Sequence, residues 1–317
     1  MNNLQLISVW IITYNQEKYI AKALESALEQ ETDFKYEIVI GEDCSTDGTR
    51  KILLEYQAKY PEKIKLLLHE KNVGMIANQN LTFKACQGEY IAMLEGDDFW
   101  SDKHKLQRQY DAMQKYPECA LSFHPVYTTD GRVLNKYSDK IKVFTTEESI
   151  KGGGYFSSTP SLMIKKSVIS SMPSFLDKAP AGDYYIQIFG SLNGGALFIP
   201  DIMATYRVNA EGSWSESVYD VEKKTNFIER TLRKIKKVDH YLNEKYTEAF
   251  QHRYQMIAIT LAVTYLSDGQ LEKFNQTIER TAEYVSYKVF RFFIVYHLRN
   301  FPSIVLYLSK LNQKLRG

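Results

Sequence analysis

Tyr90-Ile91-Ala92-Met93-Leu94-Glu95-Gly96-Asp97-Asp98-Phe99-Trp100 is an apolar run that breaks abruptly into acid. Its first five residues have the length and apolar density of a strand buried on both faces. Three carboxylates then crowd into four positions, Glu95, Asp97 and Asp98, with only Gly96 between them. Like charges that close repel, so a folded chain keeps them together only when a cation compensates. Hard oxygen ligands suit Mg²⁺ or Mn²⁺, and such ions commonly hold phosphate groups as well. The stretch therefore points to phosphate-bearing ligands. The bland alternative, acidic residues capping a helix that starts near Asp102, needs one carboxylate and leaves the others unexplained.

Upstream of this stretch, strand and helix patterns alternate. The apolar, β-branched run from Leu6 to Ile12 predicts a buried strand, followed by a polar turn at Thr13-Tyr14-Asn15. A helix is expected from about Glu17 to Gln30, with Ile20, Ala23, Leu24, Ala27 and Leu28 forming one stripe. Tyr36–Ile40 predicts a second strand, Thr49–Lys59 a helix stopped by Pro61, Ile64–Leu68 a third strand and Ile76–Cys86 a further helix. This βαβαβαβ order implies a mostly parallel sheet with helices on both faces, an α/β fold whose ligands bind at the carboxyl ends of the strands. The polar clusters Thr13–Asn15, Glu42–Asp47 and Glu95–Asp98 all fall at such ends.

Downstream, Asp102 is expected to cap a helix that runs to about Lys115, and strand-like pieces follow at Ala120–Tyr127, Ser161–Ile164, Ala196–Ile199 and Met203–Val208. The run Gly152-Gly153-Gly154 predicts a loop able to move. From about Val221 the pattern is helical throughout. We expect a catalytic region at 1–218, with a nucleotide half at about 1–100 and an acceptor half at about 101–218, and a helical region at 219–317.

Composition narrows the classes. The chain of 317 residues is 44% apolar and 25% charged, ordinary for a globular protein, and its formal charge of +2 gives no bulk attraction to nucleic acid. Cys44, Cys86 and Cys119 are odd in number and widely spaced, which supports neither a zinc site nor a disulfide framework and fits a reduced, cytoplasmic setting. No basic leader precedes the first strand, and no uninterrupted apolar window reaches the roughly 18 residues of a membrane span.

Several further residues fit the chemistry. Glu42 and Asp43 could accept hydrogen bonds from a base or ribose, or simply build an Asx-type turn. Lys71, Asn72 and Gly74 could set a cation and backbone amides beside a diphosphate, or form a solvated loop. Asp183, after Gly182, is either a helix cap or a positioned general base. No glycine fingerprint of the GxGxxG type follows any strand, which disfavours NAD-dependent oxidoreductases.

Taken in order, Ser8–Asn15, Glu42–Thr49, Asn72-Val73-Gly74 and Glu95–Asp98 resemble the family 2 glycosyltransferases of GT-A fold, over roughly residues 6–215. The resemblance implies an inverting, metal-dependent transfer of a sugar from a nucleotide-diphosphate sugar to a glycan or lipid-linked glycan, in polysaccharide assembly. It implies nucleotide contacts at Thr13, Tyr14, Glu42, Asp43, Lys71, Asn72 and Gly74. The family's acidic DxD motif corresponds to Glu95-Gly96-Asp97, with Asp97 as the direct metal ligand and Asp98 beside it. The family's catalytic base corresponds to Asp183, and its closing Tyr-Arg-x-His segment to Tyr206–Asn209. Two departures stand out: Glu95 replaces the usual first Asp, and Asn209 replaces a His that can help ligate the metal. Gly212-Ser213-Trp214-Ser215 is a candidate lid. Rival readings are a catalytically silent sugar-nucleotide or assembly module and a nucleotidyltransferase, though the latter would open with a glycine-rich basic loop where this chain has Thr13-Tyr14-Asn15-Gln16.

The tail from Tyr284 carries six Lys/Arg, no Asp or Glu, and many aromatic residues. It suits either the inner face of the cell membrane, as a peripheral contact, or burial in a bundle or homodimer.

Overall fold

The structure, a computed structural model, describes residues 6–180, 182–211, 220–286 and 289–314. It resolves into two compact units, one of Met1–Ser149 with Gly153–Glu216, the other of Ile150–Gly152 with Ser217–Gly317.

The first unit is built on β1 (Ile7–Thr13), β2 (Tyr36–Glu42), β3 (Ile64–Leu68) and β4 (Tyr90–Glu95), all parallel, with helices α1 (Ile20–Leu28), α2 (Thr49–Lys59) and α3 (Met75–Ala85) between them. Every residue of β1 and β2 is buried, as a strand covered on both faces must be. The two-residue period then sorts the side chains into two cores. Ile7, Val9 and Ile11 pack with Ile38, Ile40, Ala92 and Leu94 under Ile20, Ala23, Leu24 and Ala27 of α1. Trp10 and Ile12 pack on the other face with Val39, Ile91, Met93 and Phe83 of α3. Trp10 stacks on Phe83 with ring centroids 4.7 Å apart.

Register matters more for the site than packing does. Ile12 lies opposite both Gly41 and Glu95, and Thr13 opposite Glu42. The three polar clusters are therefore brought to one crest, side by side.

Beyond β4 the sheet turns mixed. The large sheet runs β3-β2-β1-β4-β10-β6-β11-β9, adding β6 (Leu121–Phe123), β9 (Lys142–Phe144), β10 (Met163–Lys165) and β11 (Ala196–Phe198). A second sheet, β5-β12-β7-β8, joins Phe99–Trp100, Ala204–Tyr206, Val126–Thr128 and Val133–Leu134. Several expectations shift here. The single strand expected over Ala120–Tyr127 is two, β6 and β7, in different sheets, because Pro125 between them has no N–H to give a ladder. The first helix opens at Ile20 rather than Glu17, since Asn15 sits at φ 52 and Gln16 to Tyr19 form a turn. Asp102 does not cap a helix directly. Its Oδ1 accepts from His104 N–H at 2.8 Å in a tight turn, and α4 (Lys105–Lys115) begins one residue later.

The glycine run is also not a plain loop. Gly152 ends α5 (Thr146–Gly152), which a reciprocal Thr145–Glu148 capping box starts, and Gly153–Tyr155 is a 3-10 turn. Short helix α6 (Lys166–Ser171) and helix α7 (Gly182–Ser191) complete the unit's described helices.

The second unit is helical throughout its described residues: α8 (Val221–Tyr241), α9 (Thr247–Ser267), α10 (Leu271–Tyr284), α11 (Phe290–His297) and α12 (Pro302–Lys314). The side chain of Asp220 caps α8 by accepting from Lys223 N–H at 2.8 Å. Helix α9 packs against the other four, and Phe250, Leu261, Phe274, Ile278 and Phe292 lie fully buried. The tail's aromatic residues divide: Tyr284 packs on Tyr254, whereas Phe290, Phe301 and Tyr307 are exposed. Tyr287 lies outside the described residues.

Candidate active site

At the end of β1 the backbone turns sharply through Asn15, whose left-handed φ of 52 suits a short polar side chain. Asn15 Oδ1 accepts from Thr46 N–H at 2.8 Å, and Ser45 Oγ accepts from Asn15 N–H at 3.0 Å, tying the turn to the one after β2. Thr13 is buried and donates to Gln16 Oε1 at 2.8 Å, while the Tyr14 ring is exposed.

At the end of β2 two carboxylates are fully committed within the chain. Glu42, wholly buried, accepts from Ser45 N–H at 2.6 Å with one oxygen and from the Arg50 guanidinium with the other. Arg50 also donates to the His69 carbonyl at 2.6 Å, so it joins the end of β3 to that of β2. Asp43 accepts from Val73 N–H at 2.6 Å and from Gly74 N–H at 3.0 Å. It thereby fixes the loop holding Lys71 and Asn72, both exposed, with Asn72 Oδ1 also accepting from Gly74 N–H at 3.0 Å. Gly74, at φ 86, takes a backbone shape that a side chain would strain.

The end of β4 is built differently. Gly96 N–H donates to the Ile12 carbonyl at 3.1 Å, and a Cβ here would come within 2.9 Å of Thr13 and closer still to Gln16, so only glycine fits. Glu95, Asp97 and Asp98 each offer an oxygen within 4.8 Å of one another. Asp98 Oδ1 accepts from Arg207 N–H at 2.7 Å, but its Oδ2 is buried without a hydrogen-bond partner. Arg207 Nε donates to the Asp97 carbonyl at 2.8 Å, and its guanidinium stacks on the Tyr19 ring. Gln16 hydrogen-bonds Asp97 and Thr159 hydrogen-bonds Glu95.

The electrostatics follow. Burial, then the charges of Asp97 and Asp183, push Glu95 up to about 8. Burial and then Asp97 and Glu95 hold Asp98 well above the ordinary carboxylate range. Asp97 is also raised by burial, against the pull of Arg207 and Gln16. One nearby guanidinium does not neutralise three carboxylates. An orphaned buried oxygen among hard, crowded donors is what a divalent cation fits.

Asp183 lies in the first turn of α7, inside the helix rather than before it. Burial lifts its carboxyl to about 6, and its field reaches Glu95. Its Oδ2 lies 4.0 Å from where a Cβ at Gly154 would sit, so Gly154 lies beside it. A Cβ at Gly182 would meet the Gln79 side chain at 2.6 Å, which places α3 against the start of α7. Asn209 is exposed at φ 54, two residues beyond Arg207. The candidate lid at 212–215 lies outside the described residues.

A family model described as glycosyl transferase family 2 matches residues 8–172, more than half of the chain. The chain belongs to glycosyl transferase family 2. It is 34% identical over 228 residues to an uncharacterized protein of Mycobacterium tuberculosis, an alignment covering 68% of this chain and 63% of that one. The chain thus spans about two thirds of that relative's length, a little less in fact. Among solved structures, Staphylococcus aureus TarS 1–349 in complex with UDP-GlcNAc superposes with a TM-score of 0.68 at 17% identity, covering 97% of this chain and 92% of that 1–349 chain. The mannosyltransferase PcManGT of Pyrobaculum calidifontis, in complex with GDP-Man and Mn²⁺, gives 0.55 at 14% identity, covering 96% and 86%. The fold is GT-A. Sequence reasoning missed four residues of this site: Gln16, Arg50, Thr159 and Arg207. Gln16 and Arg207 lay in quoted stretches without a role, and Arg207's partner Asp98 stands 109 residues away, a separation no local pattern reveals.

Proposed function

We propose that the chain transfers a sugar from a nucleotide-diphosphate sugar to a hydroxyl of a glycan or lipid-linked glycan, with inversion at the anomeric carbon. The observation that carries this is the under-compensated Glu95–Asp97–Asp98 group on the crest of β4 with the Asp183 carboxyl in its electrostatic reach. Solved GT-A relatives bound to UDP-GlcNAc and to GDP-Man with Mn²⁺ support the donor class.

The turns after β1 and β2, with the exposed Tyr14 ring, receive the nucleoside, and the loop fixed by Asp43 brings Lys71 and the Gly74 amide to the diphosphate. Thr13 and Glu42 act from beneath, holding the turns rather than reaching out of them. Asp97, with Asp98 and the longer-armed Glu95, would hold a divalent cation, and Asn209 is a further oxygen donor on the same segment as Arg207. When bound, that cation supplies neutralisation of the charge developing on the departing nucleoside diphosphate.

Asp183 takes the proton of the acceptor hydroxyl, which attacks the anomeric carbon on the face opposite the leaving group. A carboxyl lifted toward neutral pH by burial suits that exchange better than an ordinary one. General-base assistance is typically worth about 10²–10⁴ in rate. Asp183→Asn should fold, keep the thermal shift induced by nucleoside diphosphate with Mn²⁺, and lose at least about 10²-fold in turnover of UDP-GlcNAc or GDP-Man. Near-normal turnover in that variant would remove the base assignment.

A further inference from the structure

Seven of the twenty-two exposed large apolar side chains among the described residues fall between Phe290 and Leu311. On α12 they form one stripe. Phe301, Ile304, Leu308 and Leu311 recur at helical spacing, with Tyr307 alongside at 67% exposure. Val305, buried at 3%, marks the opposite side, which packs on α9. Helix α11 repeats the arrangement: Phe292 and Val295 are buried, while Phe290 at 79%, Phe293 and His297 are exposed one turn apart. An apolar strip of this kind on a soluble surface marks a contact.

Charge selects the partner. Beyond Glu283 the sequence carries six Lys/Arg and no Asp or Glu, although the chain as a whole is nearly neutral at +2. A protein partner or a second copy would have to bring this many cations to face one another or find acid elsewhere. An anionic bilayer offers acyl chains to the exposed rings and phosphates to the cations at once. No described helix is long and apolar enough to cross a membrane, so the geometry is that of helices lying on it. We propose that α11 and α12 form a peripheral docking face for an anionic lipid surface, the rings entering the headgroup boundary and Lys310 meeting the phosphates.

The test is sedimentation of the full chain with vesicles of phosphatidylcholine and with vesicles of phosphatidylcholine mixed with phosphatidylglycerol. Binding is expected to the mixed vesicles only and to fall as salt rises. Combining Phe290→Ser, Phe301→Ser and Tyr307→Ser should lower the partition coefficient at least about tenfold, with an unchanged circular dichroism spectrum because these side chains are exposed. Lys310→Gln, which touches no apolar group, should lower it about fivefold and guards against a folding defect in the triple variant. Equal binding to both vesicle types, no binding, or undiminished binding by both variants would overturn the proposal. So would light scattering that shows a dimer in the native chain and a monomer in the triple variant, since the face would then serve a second copy.

Discussion

Two strand ends, one on each side of β1, carry the same kind of residue and treat it in opposite ways. After β2, Glu42 and Asp43 are saturated: Ser45, Arg50, Val73 and Gly74 supply a donor to every carboxylate oxygen named there. After β4, Glu95, Asp97 and Asp98 share one guanidinium and two side-chain hydrogen bonds, and an oxygen of Asp98 has no partner. The first pair is scaffold, spending its charge on loop shape. The second group is left short of partners, as the proposed cation site requires. What separates structure from function here is satisfaction of the acid, not its presence.

The contrast can be broken from either side. Asp97→Ala should have the largest effect, taking sugar-nucleotide turnover to background and abolishing the Mn²⁺-dependent rise in thermal midpoint. Persistent metal-dependent transfer would show that the cation, if used, is held elsewhere. It would also count against a silent binding module, which has no turnover to lose.

Arg50→Ala attacks the satisfied pair and should cost about 3 kcal/mol by urea denaturation, because it strands a buried Glu42 charge. A loss under about 1 kcal/mol would mean that solvent reaches Glu42 after all.

A pH titration separates the two sites again. The folded chain holds a proton on Glu95 up to about 8, whereas the unfolded chain releases it near the ordinary 4.5. Unfolding therefore releases protons in that window, and stability present at low pH is lost as pH rises through it. In EDTA the midpoint should fall by roughly 5 °C between those limits, and saturating Mn²⁺ should flatten the slope. A midpoint indifferent to pH in EDTA would show that the cluster is already neutralised.

The smallest effect has the most telling sign. Asp98→Asn keeps an oxygen for Arg207 N–H and removes a carboxyl whose ionisation burial and its neighbours oppose, so the metal-free protein should gain about 1 kcal/mol at neutral pH. Destabilisation would place Asp98 with the scaffold acids.

Much of this was legible beforehand, for reasons that can be located. Leu6–Leu94 alternates elements whose periods are local, so β1 to β4 and the three crest clusters could be read from spacing. Beyond Glu95 the pattern thins because β5 and β8 are two residues long and the other added strands three, too short to show a period. The Thr145–Glu148 capping box was a readable mark of α5 that the adjacent glycine run obscured. The arrival of Arg207 at Asp98 joins residues 109 positions apart, and no motif announces such a meeting.

Gly96 has a wider reach than its size suggests. Because the ends of β1 and β4 touch through it, the turn that would seat a nucleoside and the acids that would seat a cation cannot slide independently. The position works as a fixed gauge between two binding halves. An alanine there would leave each half intact and change only the distance between them, so affinity for a bare nucleoside and for a bare cation would survive while the molecule that bridges both is no longer measured correctly.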